Sequence, residues 1–205
     1  MRENAHGIYV KMVELEKSIR KTAECKTKRV ISKLVMRTYP SLVRECFEKW
    51  FSFPEQMVHG QVVTASTMPH VRTMGLYEIT REGALVFLTR NDTTKWNDLT
   101  ENPRAAVCFV NLDHGQIIAE GDVKLKTKRE SSESLQYWNA MEPSIRKIYL
   151  PYKEGEISES FGVIFIKPTS WEVLQIRKED YCLSTRTKFL LDAQGSWKES
   201  TLTPV

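Results

Sequence analysis

The sequence predicts one mainly β domain, a β-barrel with flanking helices, and three observations lead to this fold class. From about residue 57 the chain is a series of short segments rich in Val, Ile, Thr and Phe, separated by turn signals. Two of them, 84–89 and 105–110, are apolar at every position except Thr89, which predicts strands covered on both faces. The chain has 205 residues, 41% of them hydrophobic, which is enough for one buried core.

The barrel is predicted to span residues 57–205, and residues 1–56 are predicted to form a helical segment that packs on it. Apolar residues recur at helical spacing between positions 10 and 50, with lysines and arginines between them. Ser41 is the expected N-cap of a short helix over residues 42–51.

The strands follow one another along the rest of the chain. A short helix with a capping residue at its start is expected at 92–99, and helical structure returns within 127–150. A hairpin turn at 192–195 leads into the last strand. The predicted strands are residues 61–67, 71–79, 84–89, 105–110, 116–126, 161–167, 171–176, 186–191 and 196–203.

Composition narrows the class of protein. The formal charge of +4 suits an anionic ligand, and the basic excess between Lys11 and Arg44 favours a solvated helical face over a nucleic-acid groove. No apolar run approaches the roughly 20 residues of a membrane helix, and the first residues lack the apolar core of a secretory signal. The four cysteines show no CxxC spacing, so we expect no zinc site and a reducing, cytoplasmic setting.

Arg72 is the first candidate binding residue. Alternation along its strand puts it on the same face as Met74 and Leu76. A guanidinium is costly to bury on an apolar face unless an anion meets it, and its fork of donors matches a phosphate. The alternative is an edge strand on which Arg72 is solvated or pairs with a carboxylate such as Glu78 or Glu120.

Two further features point to an anionic ligand with a heterocycle. Thr93, Thr94 and Lys95 stand at a predicted helix start, where free backbone N–H groups favour anions, although ordinary capping is the commoner explanation of threonines at such a place. Gln116 faces away from the predicted core side of its strand, and its amide offers both a donor and an acceptor. Gly121, in mid-strand, indicates close approach of another backbone or of a ligand.

The order of these motifs along the chain resembles that of a known protein family. Pro69-His70-Val71-Arg72, then Thr94-Lys95, Asn102-Pro103 and Gln116 with Gly121 resemble the pyridoxamine 5′-phosphate oxidase family of FMN-binding split barrels. The resemblance runs from about residue 57 to the end of the chain. It implies a split β-barrel that forms a homodimer, with FMN in each of two clefts at the subunit interface.

The resemblance also implies roles for individual residues. Arg72 and Lys95 would contact the FMN phosphate, and Gln116 would face the isoalloxazine from one subunit while residues of the other subunit complete the site. The implied cofactor-binding residues are Arg72, Thr73, Met74, Leu88, Thr89, Thr94, Lys95, Gln116, Gln175 and Lys188. The candidates for substrate contact are Tyr137, Tyr181 and Arg186, and no side chain stands out as a general base.

The sequence departs from the family pattern where the family holds a phosphorylated substrate. Family oxidases have a lysine at the end of the first motif strand, where this chain has Leu76-Tyr77, and an arginine where Glu142 stands before Pro143. Residues 184–188 replace the family's Arg-x-His-Asp-Arg motif. A glutamate in place of an arginine repels a phosphorylated substrate, so the sequence favours FMN binding over pyridoxal-phosphate chemistry.

The leading hypothesis is therefore an FMN-dependent oxidoreductase that acts on a small molecule and binds neither nucleic acid nor membrane. A non-catalytic split barrel that binds flavin or haem is the alternative, with His6, His59, His70 and His114 as the available haem ligands. A barrel that binds single-stranded nucleic acid is disfavoured, because the tryptophans are scattered among elements instead of lining one sheet face.

Overall fold

The computed structural model describes residues 39–127, 132–153 and 155–203. The predicted helical stretch before residue 39 lies outside the described residues. The helices are α1 (Ser41–Phe51), α2 (Thr94–Glu101), α3 (Ser132–Ala140) and α4 (Pro143–Arg146). The strands are β1 (Val58–Ala65), β2 (Pro69–Leu76), β3 (Glu78–Ile79), β4 (Leu85–Arg90), β5 (Arg104–Asn111), β6 (Gly115–Thr127), β7 (Phe161–Gln175), β8 (Thr185–Leu191) and β9 (Trp197–Leu202).

All strand pairs are antiparallel, and the sheet runs in the order β2-β1-β5-β6-β7-β4-β3. The sheet curls until β2 contacts β4, so that one side becomes the inside of a barrel. The long strand β7 belongs to two parts of the sheet, because its first half pairs with β4 and its second half with β8. This is the split barrel that the sequence predicts.

A β-bulge at Glu120 and Gly121 bends the long β6–β7 pair where β7 passes from one part to the other. A Cβ added to Gly121 would lie 2.0 Å from the carbonyl oxygen of Lys167, so only glycine fits there. The close approach predicted at Gly121 is therefore that of another backbone.

Helix α1 closes the core of the barrel. Phe47 is 1% exposed and packs edge-on against Phe109 of β5 and Trp171 of β7, with ring centroids 5.0 and 6.2 Å away. A smaller second cluster forms where Trp138 of α3 packs against Phe161 of β7. No helix in the described ranges is both long and apolar enough to cross a bilayer.

Several local predictions were wrong, among them the single strand at 71–79, which is two strands, β2 and β3. Ser41 is the first helical residue of α1, not its cap, because the chain enters the helix at Pro40. The strands predicted at 161–167 and 171–176 are one strand, since Pro168 pairs with Gly121 and only Thr169 is left out of the register. β5 is covered on one face only, and Val110 on its outer face is 51% exposed.

Candidate functional site

Arg72 lies where alternation predicts it. Arg72, Met74 and Leu76 occupy the more buried face of β2, while Val71 and Thr73 are exposed on the other. The Arg72 side chain is 23% exposed, which leaves its guanidinium accessible to a ligand. The strand thus presents a cation at the margin of the apolar barrel interior.

Helix α2 brings a second cation close to the first. The Trp96 ring packs on Gly162 of β7, where an added Cβ would come within 2.4 Å of the ring, so this glycine lets α2 lie close to the sheet. Lys95 precedes this tryptophan on the first turn of α2. Burial, and after it the nearby Arg72 charge, lower the pKa of Lys95. Two like charges held this near each other favour an anion between them.

No side chain caps the first turn of α2, so the capping residue predicted there was wrong. Thr93 is the N-cap residue by its backbone, but its hydroxyl donates to the carbonyl oxygen of Arg90 at 3.0 Å. Asp92 pairs with the Arg90 guanidinium, whose Nε donates to Oδ1 at 2.9 Å. Ordinary side-chain capping therefore does not account for the threonines at this helix start.

A buried carboxylate, Asp98 of α2, lies beside Arg72, and sequence reasoning missed it. Asp98 accepts hydrogen bonds from Thr64 Oγ1 at 2.7 Å and from His70 Nδ1 at 3.0 Å. The Thr64 hydrogen bond, followed by the interactions with His70 and then Arg72, lowers the pKa of Asp98 against the effect of its burial. The signal available in the sequence was an aspartate four residues after Thr94, on the helix that carries Lys95.

The alternative explanation for Arg72, an edge strand on which the arginine pairs with a carboxylate, holds in part. β2 is the last strand in the sheet order, and Arg72 Nη2 lies 3.6 Å from Asp98 Oδ2. The carboxylate is neither of the two that the sequence suggested, Glu78 and Glu120. Asp98 pairs with Arg72 and not with Lys95, and the carboxylate that acts on Lys95, Asp92, is itself paired with Arg90, so the pairing of Arg72 does not account for Lys95.

Of the remaining phosphate and ribityl candidates, Thr73 and Thr94 are the chain neighbours of the two cations, and Leu88 and Thr89 lie on β4, which β2 contacts. Thr94 begins α2 and is half-buried. Thr73 points outward and donates to Gln61 Oε1 at 3.2 Å. Leu88 is half-buried on β4, and Thr89 beside it is buried.

A second group of predicted residues lies on the outer face of the sheet. Gln116 of β6 pairs across to Leu174 of β7, which pairs to Arg186 of β8, so the three form one row. In the neighbouring row Lys188 stands opposite Glu172. Glu172 Oε1 accepts from Arg186 Nε at 2.7 Å, which holds this arginine against the sheet.

The structure does not bring the two groups together within one chain. Arg72 faces inward and Gln116 faces outward. Gln175 follows the inward alternation of β7 and accepts a hydrogen bond from Thr185 at 3.4 Å, so it does not share the face of Gln116. A site that uses both Arg72 and Gln116 needs two chains.

The predicted substrate residues occupy separate places. The Tyr137 hydroxyl donates to Glu78 Oε1 at 2.6 Å, and the Tyr137 ring packs edge-on against Tyr77. Burial and the glutamate raise the pKa of Tyr137. Tyr181 is 66% exposed, and Arg186 belongs to the outer-face row.

The histidines do not gather into one site. His70 bonds to Asp98, His114 stacks on Trp50, and His59 is exposed, while His6 lies outside the described residues. A groove of about 580 Å³, open to solvent, is lined by Thr64, Arg104 and others, but neither Arg72 nor Lys95 lines it. The paired cations mark the candidate site more specifically than this groove does.

Comparisons with known proteins agree on one family. The family model described as pyridoxamine 5′-phosphate oxidase matches residues 48–175, more than half of the chain. A pyridoxine/pyridoxamine 5′-phosphate oxidase of Aliarcobacter butzleri is 28% identical over 77% of this chain and 87% of its own length. An enzyme of the same name from Wolbachia pipientis is 26% identical over 78% of this chain and 87% of its own length.

Two solved structures share the fold. A pyridoxamine 5′-phosphate oxidase-related, FMN-binding protein of Nostoc punctiforme superposes with a TM-score of 0.67 and 18% identity, covering 80% of this chain and 95% of that one. PhzG of Burkholderia lata, solved with tetrahydrophenazine-1-carboxylic acid, superposes with a TM-score of 0.63 and 15% identity, covering 80% of this chain and 94% of that one.

Proposed function

Because the chain belongs to the pyridoxamine 5′-phosphate oxidase family, we propose that it binds FMN and is an oxidoreductase that acts on a small molecule. The observation that carries the proposal is the pair of cations Arg72 and Lys95: Arg72 Nη2 lies 3.6 Å from Asp98 Oδ2, and Asp98 follows Lys95 by three residues on α2. A phosphate monoester carries up to two negative charges and several acceptor oxygens, so it matches this pair. The FMN-binding protein of Nostoc punctiforme, with the same fold, supports the choice of FMN.

The donor set fits FMN. Arg72 and Lys95 would hold the phosphate, with the uncapped first turn of α2 and the Thr94 hydroxyl beside them. Gln116 would supply an amide to the flavin edge. When bound, FMN supplies hydride and electron transfer, and the protein supplies position and electrostatics.

A homodimer follows from the same geometry. The inward Arg72 and the outward Gln116 serve one ligand only if they belong to different chains, which supports FMN at a subunit interface. The outer face also leaves Val71 and Val110 62% and 51% exposed, which suits burial against a second copy. Cys46, Cys108 and Cys182 are free thiols, which fits a reducing, cytoplasmic compartment.

The substrate we propose is not phosphorylated. Leu76-Tyr77 stand where the family has a lysine; Tyr77 packs against Tyr137, and the Tyr137 hydroxyl donates to Glu78. Glu142, in place of an arginine, is exposed. Carboxylates and aromatic rings here disfavour a phosphate and favour a neutral or cationic ring compound.

Titration of the FMN-free protein with FMN and with riboflavin tests the proposed function. The two ligands share the ring and the ribityl chain and differ in the phosphate. We expect FMN to bind about 100-fold more tightly than riboflavin, because two charge-assisted contacts depend on the phosphate. Quenching of flavin fluorescence gives both affinities, and equal affinities would show that Arg72 and Lys95 hold no phosphate.

A further inference from the structure

Asp98 connects the two elements that carry the paired cations. It lies on α2, the helix of Lys95, and it is 3% exposed. Its partners come from the other side of the site: Thr64 on β1, Ser66 just after β1, and both His70 and Arg72 on β2. A carboxylate this deeply buried needs hydrogen-bond donors for its oxygens. One of the donors here is Arg72, which we propose binds the FMN phosphate.

Arg72 and Asp98 are linked through the Thr64 hydroxyl, and the chemistry of the two charged groups determines which atom donates in each hydrogen bond. A guanidinium only donates, and an ionised carboxylate only accepts. Arg72 Nη1 lies 2.6 Å from Thr64 Oγ1, and Thr64 Oγ1 lies 2.7 Å from Asp98 Oδ2. The Thr64 hydroxyl must therefore accept from Arg72 and donate to Asp98, which makes a chain of two aligned hydrogen bonds.

This chain fixes the orientation of Arg72 before any ligand arrives. Arginine has a long side chain whose rotamer freedom is lost when it binds an anion, and a residue already held loses less. Thr64 is 1% exposed, so this link is shielded from water. The donors of Arg72 that do not reach Thr64 or Asp98 are left for a ligand.

We propose that Asp98 is a positioning residue for anion binding, which holds the Arg72 guanidinium through Thr64 in the orientation that receives a phosphate. The proposal rests on the proposed function of the same site. The negative charge of Asp98 alone would have the opposite effect, because it repels a phosphate. Orientation and charge thus predict effects of opposite sign, and an experiment can tell them apart.

The ratio of FMN affinity to riboflavin affinity reports the phosphate contribution alone. We expect Asp98→Asn to lower this ratio about tenfold, because a neutral amide oxygen accepts from Thr64, His70 and Arg72 more weakly than the carboxylate oxygen Oδ2 does. Thr64→Val removes the linking hydroxyl at nearly constant shape and should lower the ratio several-fold, while Thr64→Ser should keep it. Glu45→Gln, an equal loss of charge on the exposed face of α1, is the matched control and should leave the ratio unchanged.

A double-mutant cycle then shows whether Asp98 acts through Arg72. In an Arg72→Ala background, Asp98→Asn should have no further effect on the ratio. If Asp98→Asn lowers the affinities for FMN and for riboflavin equally, Asp98 serves the fold alone. If it raises the ratio of the two affinities, the negative charge of Asp98 outweighs its effect on Arg72. Either result overturns the proposal. Should Asp98→Asn fail to fold, an unchanged ratio in Thr64→Val overturns it equally. If Arg72→Ala alone leaves the ratio unchanged, it is the proposed function of Arg72 that fails.

Discussion

Replacing Arg72 and Lys95 together by alanine is expected to abolish co-purification of FMN while leaving a folded dimer. Each charge-assisted hydrogen bond contributes about 1.5–3 kcal/mol, so loss of two weakens FMN binding by about 10²- to 10⁴-fold. The fold should survive, because both side chains are only partly buried and neither belongs to the apolar core. The absorbance of bound flavin and the mass of the assembly, measured on the same preparation, give both results.

A matched control separates this loss from a general change of charge. Lys49→Ala with Arg104→Ala removes the same two charges from side chains that are 72% and 80% exposed. This variant should keep its flavin. Full retention of FMN by the Arg72 and Lys95 double variant would show that the phosphate is bound elsewhere.

Phe47→Ala should lower the free energy of unfolding by about 3–5 kcal/mol, the usual cost of emptying a large buried aromatic site. Phe47 packs against Phe109 and Trp171 from two different strands, so its removal opens a cavity that no single neighbour can fill. Urea unfolding of the FMN-free protein measures the loss, because bound ligand would add its own stabilisation. The result also tests whether α1 stabilises the barrel. Phe47 lies just before residue 48, where the match to the family model begins.

Phe51→Ala is the control for this prediction. Phe51 has the same side chain on the same helix but is only half-buried. Its replacement should cost clearly less than that of Phe47. Equal small losses for both variants would mean that α1 rests on the barrel without completing its core.

The sequence was sufficient to predict the strands and the face of Arg72. Alternation on β2 and the breaks at Gly83 and Gly115 are local signals, and local signals carry strand positions well. Pro168 misled the prediction, because a proline in mid-strand ordinarily ends a strand. Only the pairing with β6, in which Thr169 of β7 is the extra residue of the bulge, shows how β7 continues through Pro168.

The role of Asp98 was beyond local reasoning. Its partners Thr64 and His70 are 34 and 28 residues away along the chain, and no spacing rule connects them. The same holds for the row of Gln116, Leu174 and Arg186, which exists only once three strands are in register. Long-range register decides which polar groups meet, and it follows from the whole sheet.

The identity of the small molecule released from the purified wild-type protein tests the central claim most directly. Acid or heat denaturation, followed by chromatography and mass spectrometry of the supernatant, identifies it without assuming a reaction. We predict FMN at about one molecule per chain, and full reconstitution of any colourless fraction by added FMN. Release of haem, or a protein that stays colourless in excess FMN, would contradict the account.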